Sequence, residues 1–343
     1  GWGRRVRASV LTRLSAGLGA RIAAALFLAC IAGQASAARP IFVLNSLDAD
    51  VSIIDPATQT VLRRLPTGKE PHHLYLAPDE KTLIVANAGS NTLTFIDPTD
   101  GKLLRTVTDI TDPYQLRFSP DMKWFVTAAN RLHHVDIYQW KGATAAEPFL
   151  LMKRISAPKT PSHLSIDGKS TVVYASLQDS DELLAVDLAT QAPRWKIKTG
   201  KLPADLYITA DDRTLLVGLT GDRVVEAYDV SGPQPKLIKR IPTGEGAHAF
   251  RAKGDKRHVF VSNRVANTIS VIDTQTLTVV DELPGPGGPD DMDLSADGRT
   301  LLLASRWARK LSVIDVASKK VVRQIDVGRS PHGVWTLDHA PRQ

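Results

Sequence analysis

The stretch PHHLYLAPDEKTLIVANAGSNTLTFIDPTDGKLLRTVTDI, residues 71–110, contains one complete structural unit. Four short runs of mostly apolar residues, typical of β-strands with a buried face, are separated by polar turns. We label the four predicted strands A to D, and the turns between them are 79–81, 88–91 and 98–101. No helical periodicity of any length occurs beyond residue 37. The sequence therefore predicts an all-β protein.

The same unit recurs along the chain. An apolar run that ends in Asp marks strand C in each copy, at Asp55, Asp97, Asp136, Asp187, Asp229, Asp273 and Asp315. The steps between these residues are 42, 39, 51, 42, 44 and 42, and the longest step holds the insert WKGATAAEPF at 140–149. A period near 42 with short strands is typical of propeller blades. Each Asp is expected to begin the C–D turn and to accept backbone N–H bonds there.

The two ends of the repeat region complement each other. PIFVLN at 40–45 matches strand B, whereas PHGVWTL at 331–337 matches strand A. The last strand is therefore expected to complete the first blade, which hides the sheet edges. We predict a seven-bladed β-propeller with four-stranded antiparallel blades, in which the C-terminal strand joins the N-terminal blade.

The first 37 residues have the composition of a secretory leader. Five arginines without an acid precede the apolar run at 22–33, and Ala35-Ser36-Ala37 supplies a small-residue cleavage site. We predict a signal peptide over 1–37 and a single propeller domain over 38–343, located in the periplasm or secreted. Two alternatives stay open: lipid attachment at Cys30, and export by a twin-arginine route marked by Arg4-Arg5.

Charge and composition exclude several classes of protein. The chain is 43% hydrophobic and 23% charged, which is not the composition of a disordered, collagen-like or multi-span membrane protein. Beyond residue 37 there are 38 basic and 36 acidic residues, so the charge does not favour nucleic acid as a partner. No cysteine remains there for a disulfide or a metal site. The apolar run at 22–33 is too short for a membrane span, and we predict none in the mature chain.

The segments 255–285 and 298–333 resemble the YVTN-type β-propeller repeat, and the resemblance extends over about residues 40–338. It implies the propeller fold and a secreted bacterial protein. Related rings include 6-phosphogluconolactonase-like lactonases, the haem-binding propeller of cytochrome nitrite reductases and quinoprotein dehydrogenase subunits. A shared fold does not choose among these functions.

Strand direction alternates, so the D–A and B–C connections lie at one end of the ring. Strand A is innermost, and its first residues are expected to surround the central channel at that end, which we call the channel mouth. Aligning the seven D–A junctions predicts two rings of residues. The first ring is His72, Tyr114, Ser162, Ala204, Ala247, Asp290 and His332. The second ring is His73, Gln115, His163, Asp205, His248, Asp291 and Gly333.

Convergent polar groups at such a mouth indicate a binding site. The candidate ligand-binding residues are His72, His73, Tyr114, Gln115, His163, Asp205, His248, Asp290, Asp291, Arg306 and His332, with Arg131, Arg264 and Trp307 from the B–C loops beside them. His73, His163 and His248 are candidate ligands of a divalent or transition metal, or of a haem iron. The alternative is that these side chains only satisfy backbone groups and hold water.

No catalytic motif is present: the sequence lacks G-x-S-x-G, H-E-x-x-H and C-x-x-C-H. We therefore expect a monomeric binding scaffold for a protein or small molecule of the cell envelope rather than an enzyme. The alternative is a lactonase-like hydrolase, or a haem- or metal-binding oxidoreductase accessory protein, that uses the histidine-rich mouth. In that case Asp290-Asp291 would perform acid–base work if one carboxyl raised the pKa of the other.

Overall fold

The computed structural model of the protein describes residues 38–343. Their 28 strands form seven four-stranded antiparallel sheets, as predicted. The ring closes as predicted too, because Phe42 of the N-terminal strand pairs with Trp335 of the C-terminal strand. The closing blade thus contains residues from both ends of the repeat region.

The strands of each blade are given from the innermost outward. Blade I comprises β28 (Pro331–Thr336), β1 (Ile41–Asn45), β2 (Asp50–Asp55) and β3 (Thr60–Pro66). Blade II comprises β4 (Pro71–Leu76), β5 (Leu83–Asn87), β6 (Thr92–Ile96) and β7 (Leu103–Val107). Blade III comprises β8 (Pro113–Phe118), β9 (Trp124–Ala129), β10 (His134–Trp140) and β11 (Phe149–Ser156). Blade IV comprises β12 (Pro161–Ile166), β13 (Val172–Leu177), β14 (Glu182–Asp187) and β15 (Pro193–Lys198).

The remaining blades follow the same order. Blade V comprises β16 (Pro203–Ile208), β17 (Thr214–Leu219), β18 (Val224–Asp229) and β19 (Lys236–Pro242). Blade VI comprises β20 (Ala247–Ala252), β21 (His258–Asn263), β22 (Thr268–Asp273) and β23 (Thr278–Pro284). Blade VII comprises β24 (Pro289–Leu294), β25 (Thr300–Ser305), β26 (Lys310–Asp315) and β27 (Lys320–Asp326). Two 3-10 turns, Gln178–Ser180 and Arg306–Ala308, lie in B–C loops.

The core consists of seven apolar clusters, and each one joins two neighbouring blades. For example, Phe42 and Leu44 of blade I pack with Leu83 and Val85 of blade II. Each blade therefore buries both faces of its inner strands, which explains why strands B and C are almost continuously apolar. The fold is a closed ring because every sheet needs a neighbour on each side.

The turn role predicted for the strand C aspartates is confirmed in six blades. Asp55, Asp97, Asp229 and Asp273 each accept a backbone N–H from two residues ahead, at 2.9 Å. Asp187 and Asp315 accept one from three residues ahead. These aspartates therefore shape the turns.

The assignment of Asp136 to this position was wrong. Asp136 lies in the middle of β10, opposite Thr127, and its fully buried carboxylate pairs with Arg154 at 3.0 Å. By strand register the turn position of blade III is Gln139, so the steps around it are 42 and 48. The insert at 140–149 does lengthen the C–D hairpin, as predicted. His133 precedes strand C, and its Nδ1 accepts the Thr160 N–H at 2.8 Å, whereas His134 begins the strand.

The predicted signal peptide over 1–37 and Cys30 lie outside the described residues. Within residues 38–343 no helix is long and apolar enough to cross a membrane.

Candidate functional site

Every innermost strand begins with the same local irregularity. Six of the seven begin with Pro, which has no backbone N–H to donate and is tolerated at the first residue of a strand. The pairing register between strands A and B then shifts within the next residues. In blade II, for example, Pro71 pairs with Asn87 while His73 pairs with Ala86, which leaves His72 as the extra residue. The histidine rings at 72 and 73 both contact the rings of Tyr114 and His332. The bulge therefore brings two consecutive side chains to the channel mouth.

Strand register corrects the predicted rings in blade VI. In blade VI Ala247 pairs with Asn263, and in blade II Pro71 pairs with Asn87 in the same way. Ala247 therefore occupies the strand-start position that proline holds in the other blades. His248 consequently belongs to the first ring, and Ala249 takes its place in the second ring. The other six blades keep their predicted places. The corrected first ring is His72, Tyr114, Ser162, Ala204, His248, Asp290 and His332.

Asp290 is the charge around which the first ring is organised. Its fully buried carboxylate accepts a hydrogen bond from Arg264 at 2.8 Å, and the His248 and His332 rings each lie 3.3 Å away. Arg306 lies 3.9 Å away on the next B–C loop. Burial favours the neutral acid, but the facing His332 ring and the Arg264 guanidinium hold the pKa of Asp290 well below its usual range. Asp290 is therefore ionised.

The neighbouring carboxyl behaves in the opposite way. Burial and the charge of Asp290 raise the pKa of Asp291 to about 8. Its carboxyl lies 3.3 Å from Nδ1 of His73, whose own pKa burial lowers to about 4. At neutral pH this contact joins a neutral acid to a neutral imidazole. The two adjacent aspartates therefore hold different protonation states.

The five histidines and Tyr114 form a continuous series of contacting rings. His73 meets His163 at 5.4 Å and His163 meets His248 at 5.6 Å between ring centroids, both edge to face. Burial lowers the pKa of all five imidazoles, to about 3 for His72, and raises the pKa of Tyr114 to about 12. All these rings are uncharged at neutral pH.

Two of the candidate residues connect neighbouring blades. Oε1 of Gln115 accepts the backbone N–H of Leu164 in blade IV at 2.5 Å. Asp205 accepts the N–H of Leu206 and, from blade VI, that of Phe250, each at 2.9 Å. Burial raises the pKa of Asp205 to about 6. The carbonyl and carboxylate groups of these two side chains thus satisfy backbone donors of the inner strands.

The B–C loop residues divide into two groups. Arg264 and Arg306 point to Asp290, and Nε of Arg306 also donates to Ser330 Oγ at 2.9 Å. Arg131 instead pairs with Glu70 at the exposed rim. Trp307 is 59% exposed and lies over Gly288, where an added Cβ would come within 2.4 Å of the indole. Arg264 and Arg306 are therefore the cations closest to the first ring.

Several buried polar atoms of the two rings and of Arg264 have no hydrogen-bond partner among residues 38–343. They are His72 Nδ1, His73 Nε2, His163 Nε2, Arg264 Nε, Asp290 Oδ1 and His332 Nδ1. Buried polar atoms in proteins normally have a protein or water partner. This concentration of unused donors and acceptors distinguishes the mouth from the apolar contacts between blades.

The metal candidates do not converge on a common point. Among residues 38–343 no group of three His, Cys, Asp or Glu side chains is placed to hold a metal ion. Nδ1 of His163 faces Ser162 Oγ, and Nδ1 of His248 faces Thr220 Oγ1, each at 2.9 Å. This donor set does not fit a three-ligand metal site. A haem iron needs one axial nitrogen from the protein. Of the five histidines at the mouth, His72 is half-buried and the other four are buried, so His72 is the candidate axial ligand.

A further ring lies two residues beyond the second one and was missed by the sequence analysis. It consists of Tyr75, Arg117, Ser165, Tyr207, Arg251, Asp293 and Trp335. Because strand side chains alternate with a period of two, these residues lie on the same side of strand A as the second ring. This two-residue period could have identified the residues of the further ring from the sequence. This third ring lines the opposite end of the channel, where the A–B connections lie.

Comparisons with solved structures agree with the architecture. The periplasmic gluconolactonase PpgL of Pseudomonas aeruginosa is 19% identical, with a TM-score of 0.74 over 89% of this chain and 99% of that one. A functionally unknown protein of Desulfotomaculum acetoxidans is 16% identical, with a TM-score of 0.74 over 89% and 100%. The dihydro-heme d1 dehydrogenase NirN is 18% identical, with a TM-score of 0.64 over 88% and 75%. At these identities the likeness is one of fold.

Sequence comparison gives the family. Two curated relatives, each called uncharacterized protein YncE, come from Salmonella typhi and Salmonella typhimurium. Each is 24% identical over 149 residues, and the match spans 43% of this chain and 42% of the relative, less than half of either. The family model described as YNCE-like beta-propeller matches residues 4–342. The chain therefore belongs to the YNCE-like β-propeller family.

Proposed function

We propose that this protein is a binding propeller of the cell envelope that takes a small anionic molecule at the channel mouth. The observation that carries the proposal is the charge balance of the first ring. Arg264 and Arg306 both lie within 4 Å of Asp290, which is the one ionised acid of that ring, while Asp291 and the histidines are neutral. The first ring and its two arginines thus carry a surplus of positive charge in a largely buried setting, where an anion is attracted strongly.

The unused polar atoms support a ligand or ordered water rather than closed packing. The unpartnered ring nitrogens of His72 and His332 belong to the first ring, beside the two arginines. Neutral imidazoles donate or accept hydrogen bonds, so they suit hydroxyl groups on a ligand. A small hydroxylated acid satisfies both features, since its carboxylate meets the arginines and its hydroxyls meet the imidazoles.

The proposed location in the envelope rests on the predicted leader over 1–37 and is consistent with the similarity in fold to PpgL, a periplasmic gluconolactonase. A protein partner at the same face is the alternative occupant. A protein partner would contact the exposed rim, including Trp307, rather than the buried first ring.

The binding proposal is tested by calorimetric titration with gluconate and inorganic phosphate as probes. We expect Arg306→Gln to weaken binding of the better probe roughly tenfold or more, because it removes a charge-assisted hydrogen bond. Arg223→Gln, on a B–C loop of the same face but 71% exposed in its side chain, is the matched control and is expected to bind like the wild type. Absence of binding of both probes to the wild type, or an equal loss in both variants, would overturn the proposal.

A lactone hydrolase is the second candidate, favoured by the opposite protonation states of Asp290 and Asp291. A carboxyl that keeps its proton at neutral pH can act as a general acid towards a leaving oxygen. We expect, if this function holds, that the wild type hydrolyses δ-gluconolactone faster than buffer does and that Asp291→Asn loses roughly a hundredfold in rate. Hydrolysis at the buffer rate by the wild type would eliminate this candidate and leave the binding proposal standing.

A further inference from the structure

The end of the channel opposite the mouth contains a cavity of about 210 Å³. Five members of the third ring line it: Tyr75, Arg117, Ser165, Tyr207 and Arg251. This volume is smaller than the roughly 300–1,000 Å³ of pockets for drug-sized ligands. The cavity would therefore suit a small molecule, and the residues that line it indicate the chemical class of that molecule.

The Arg117 guanidinium in this cavity has no counter-charge of its own. Within residues 38–343 no carboxylate oxygen lies within 4 Å of it, and its hydrogen bond goes to the carbonyl of Leu116 at 2.8 Å. By contrast, Arg251 and Arg342 share Asp293, at 3.0 and 3.1 Å. An anion interacts more favourably with a half-buried guanidinium that lacks a carboxylate partner than with a guanidinium in water.

The acids nearest to Arg117 do not take that role. Asp205 lines the same cavity and, with a pKa of about 6, is ionised at neutral pH, but both of its oxygens accept backbone N–H bonds, from Leu206 and Phe250. Asp291, whose pKa is raised to about 8, faces His73 and carries a proton at neutral pH. Among residues 38–343 no carboxylate therefore pairs directly with Arg117, which leaves its remaining N–H donors for a ligand.

Aromatic rings form the opposed walls of the cavity. Tyr75 and Phe118 lie 6.4 Å apart on the side of blades II and III, and the Arg117 guanidinium lies over Tyr75 at 5.0 Å. Tyr207 and Phe250 lie 6.3 Å apart on the side of blades V and VI. Exposed aromatic rings make favourable offset or edge-to-face contacts with a further aromatic ring.

The C-terminal tail completes the cavity. Arg251 donates to the carbonyls of Ala340 and Pro341, at 2.7 and 2.9 Å, which fastens the tail across this end. Arg342 then stacks on Trp335 at 3.7 Å, and its side chain lines the cavity. The Arg342 side chain is thus a second cationic group in the cavity lining.

We propose that this end of the channel is a second binding site, separate from the mouth, that holds a small aromatic carboxylate with its carboxylate on Arg117 and its ring between the two aromatic walls. The proposal does not depend on the proposed function, because no first-ring residue lines the cavity, and the second ring contributes Asp205 alone to its lining.

Benzoate is the test probe, and benzamide, its uncharged counterpart, tests the need for charge. We expect calorimetric titration to show benzoate binding that Arg117→Gln weakens at least roughly tenfold, and benzamide binding weaker by a similar factor. Arg257→Gln is the matched control on the same face: its guanidinium pairs with Asp273 and lies outside the cavity, so benzoate binding is expected to be unchanged.

A second variant separates this site from the mouth. Arg306→Gln is expected to leave benzoate binding unchanged while it weakens the anion probes of the mouth. No benzoate binding by the wild type, equal affinity for benzoate and benzamide, or a loss in Arg306→Gln that equals the loss in Arg117→Gln would each overturn the second site. A folded Arg117→Gln protein, verified by an unchanged thermal unfolding midpoint, excludes simple misfolding as the cause of a loss.

Discussion

Asp290→Asn is expected to lower the free energy of unfolding by about 3–5 kcal/mol near neutral pH, because it removes the negative charge that compensates a buried guanidinium. The side chain of Asp290 is fully buried, and that of Arg264 is 16% exposed, so water cannot replace the lost partner. The His248 ring cannot compensate either, since its Nε2 already lies 2.7 Å from the same guanidinium. Urea denaturation measures this loss directly.

Asp291→Asn is the control for this prediction, because it changes the same chemical group one residue along the chain. Asp291 is already protonated near neutral pH, and an asparagine amide resembles a protonated carboxyl in size and in its ability to donate. We expect a change of about 1 kcal/mol or less. Similar losses in the two variants would refute the opposite protonation states on which both functional candidates depend.

The second large effect is on the pH dependence of stability. A raised pKa in the folded state means that the folded protein holds a proton that the unfolded chain has already released. For Asp291, whose pKa rises from 3.8 to about 8, the stabilisation is complete below pH 4 and is lost progressively as the pH rises to about 8. The histidines act in the opposite direction, since their lowered pKa values cost stability as the pH falls below about 6.5.

The decline caused by Asp291 extends across neutrality, up to about pH 8. Between about pH 6.5 and 8 we expect the stability of the wild type to fall by about 1.5 kcal/mol relative to that of Asp291→Asn, because one proton contributes about 1.4 kcal/mol for each pH unit. Asp291→Asn cannot release this proton, whereas the histidines contribute equally to both proteins, so the difference between the two stability curves isolates Asp291. Parallel curves for the two proteins would show that Asp291 is ionised in the folded state at neutral pH, contrary to the pKa given above.

The pattern of apolar runs and turns was sufficient for the architecture. Four runs per unit, seven units and complementary ends predicted the blades and the joining of PHGVWTL to PIFVLN, because strand alternation and turn chemistry are local properties of the chain. Two residue assignments were wrong because each depended on a local sequence marker. Asp136 resembled a turn aspartate but is a buried partner of Arg154, and Ala247 concealed the strand start that proline marks in the other blades.

The residues that gather at the channel mouth were largely predicted from the sequence, but their chemical states were not. Asp290 and Asp291 are identical neighbours in the chain, and a strand bulge directs one towards Arg264 and His332 and the other towards His73. Arg264 comes from another blade, 26 residues away, and His332 from the closing strand. Charge, burial and hydrogen bonding act through space, so the protonation of these acids and the unpaired charge of Arg117 arise only when the seven blades close into a ring.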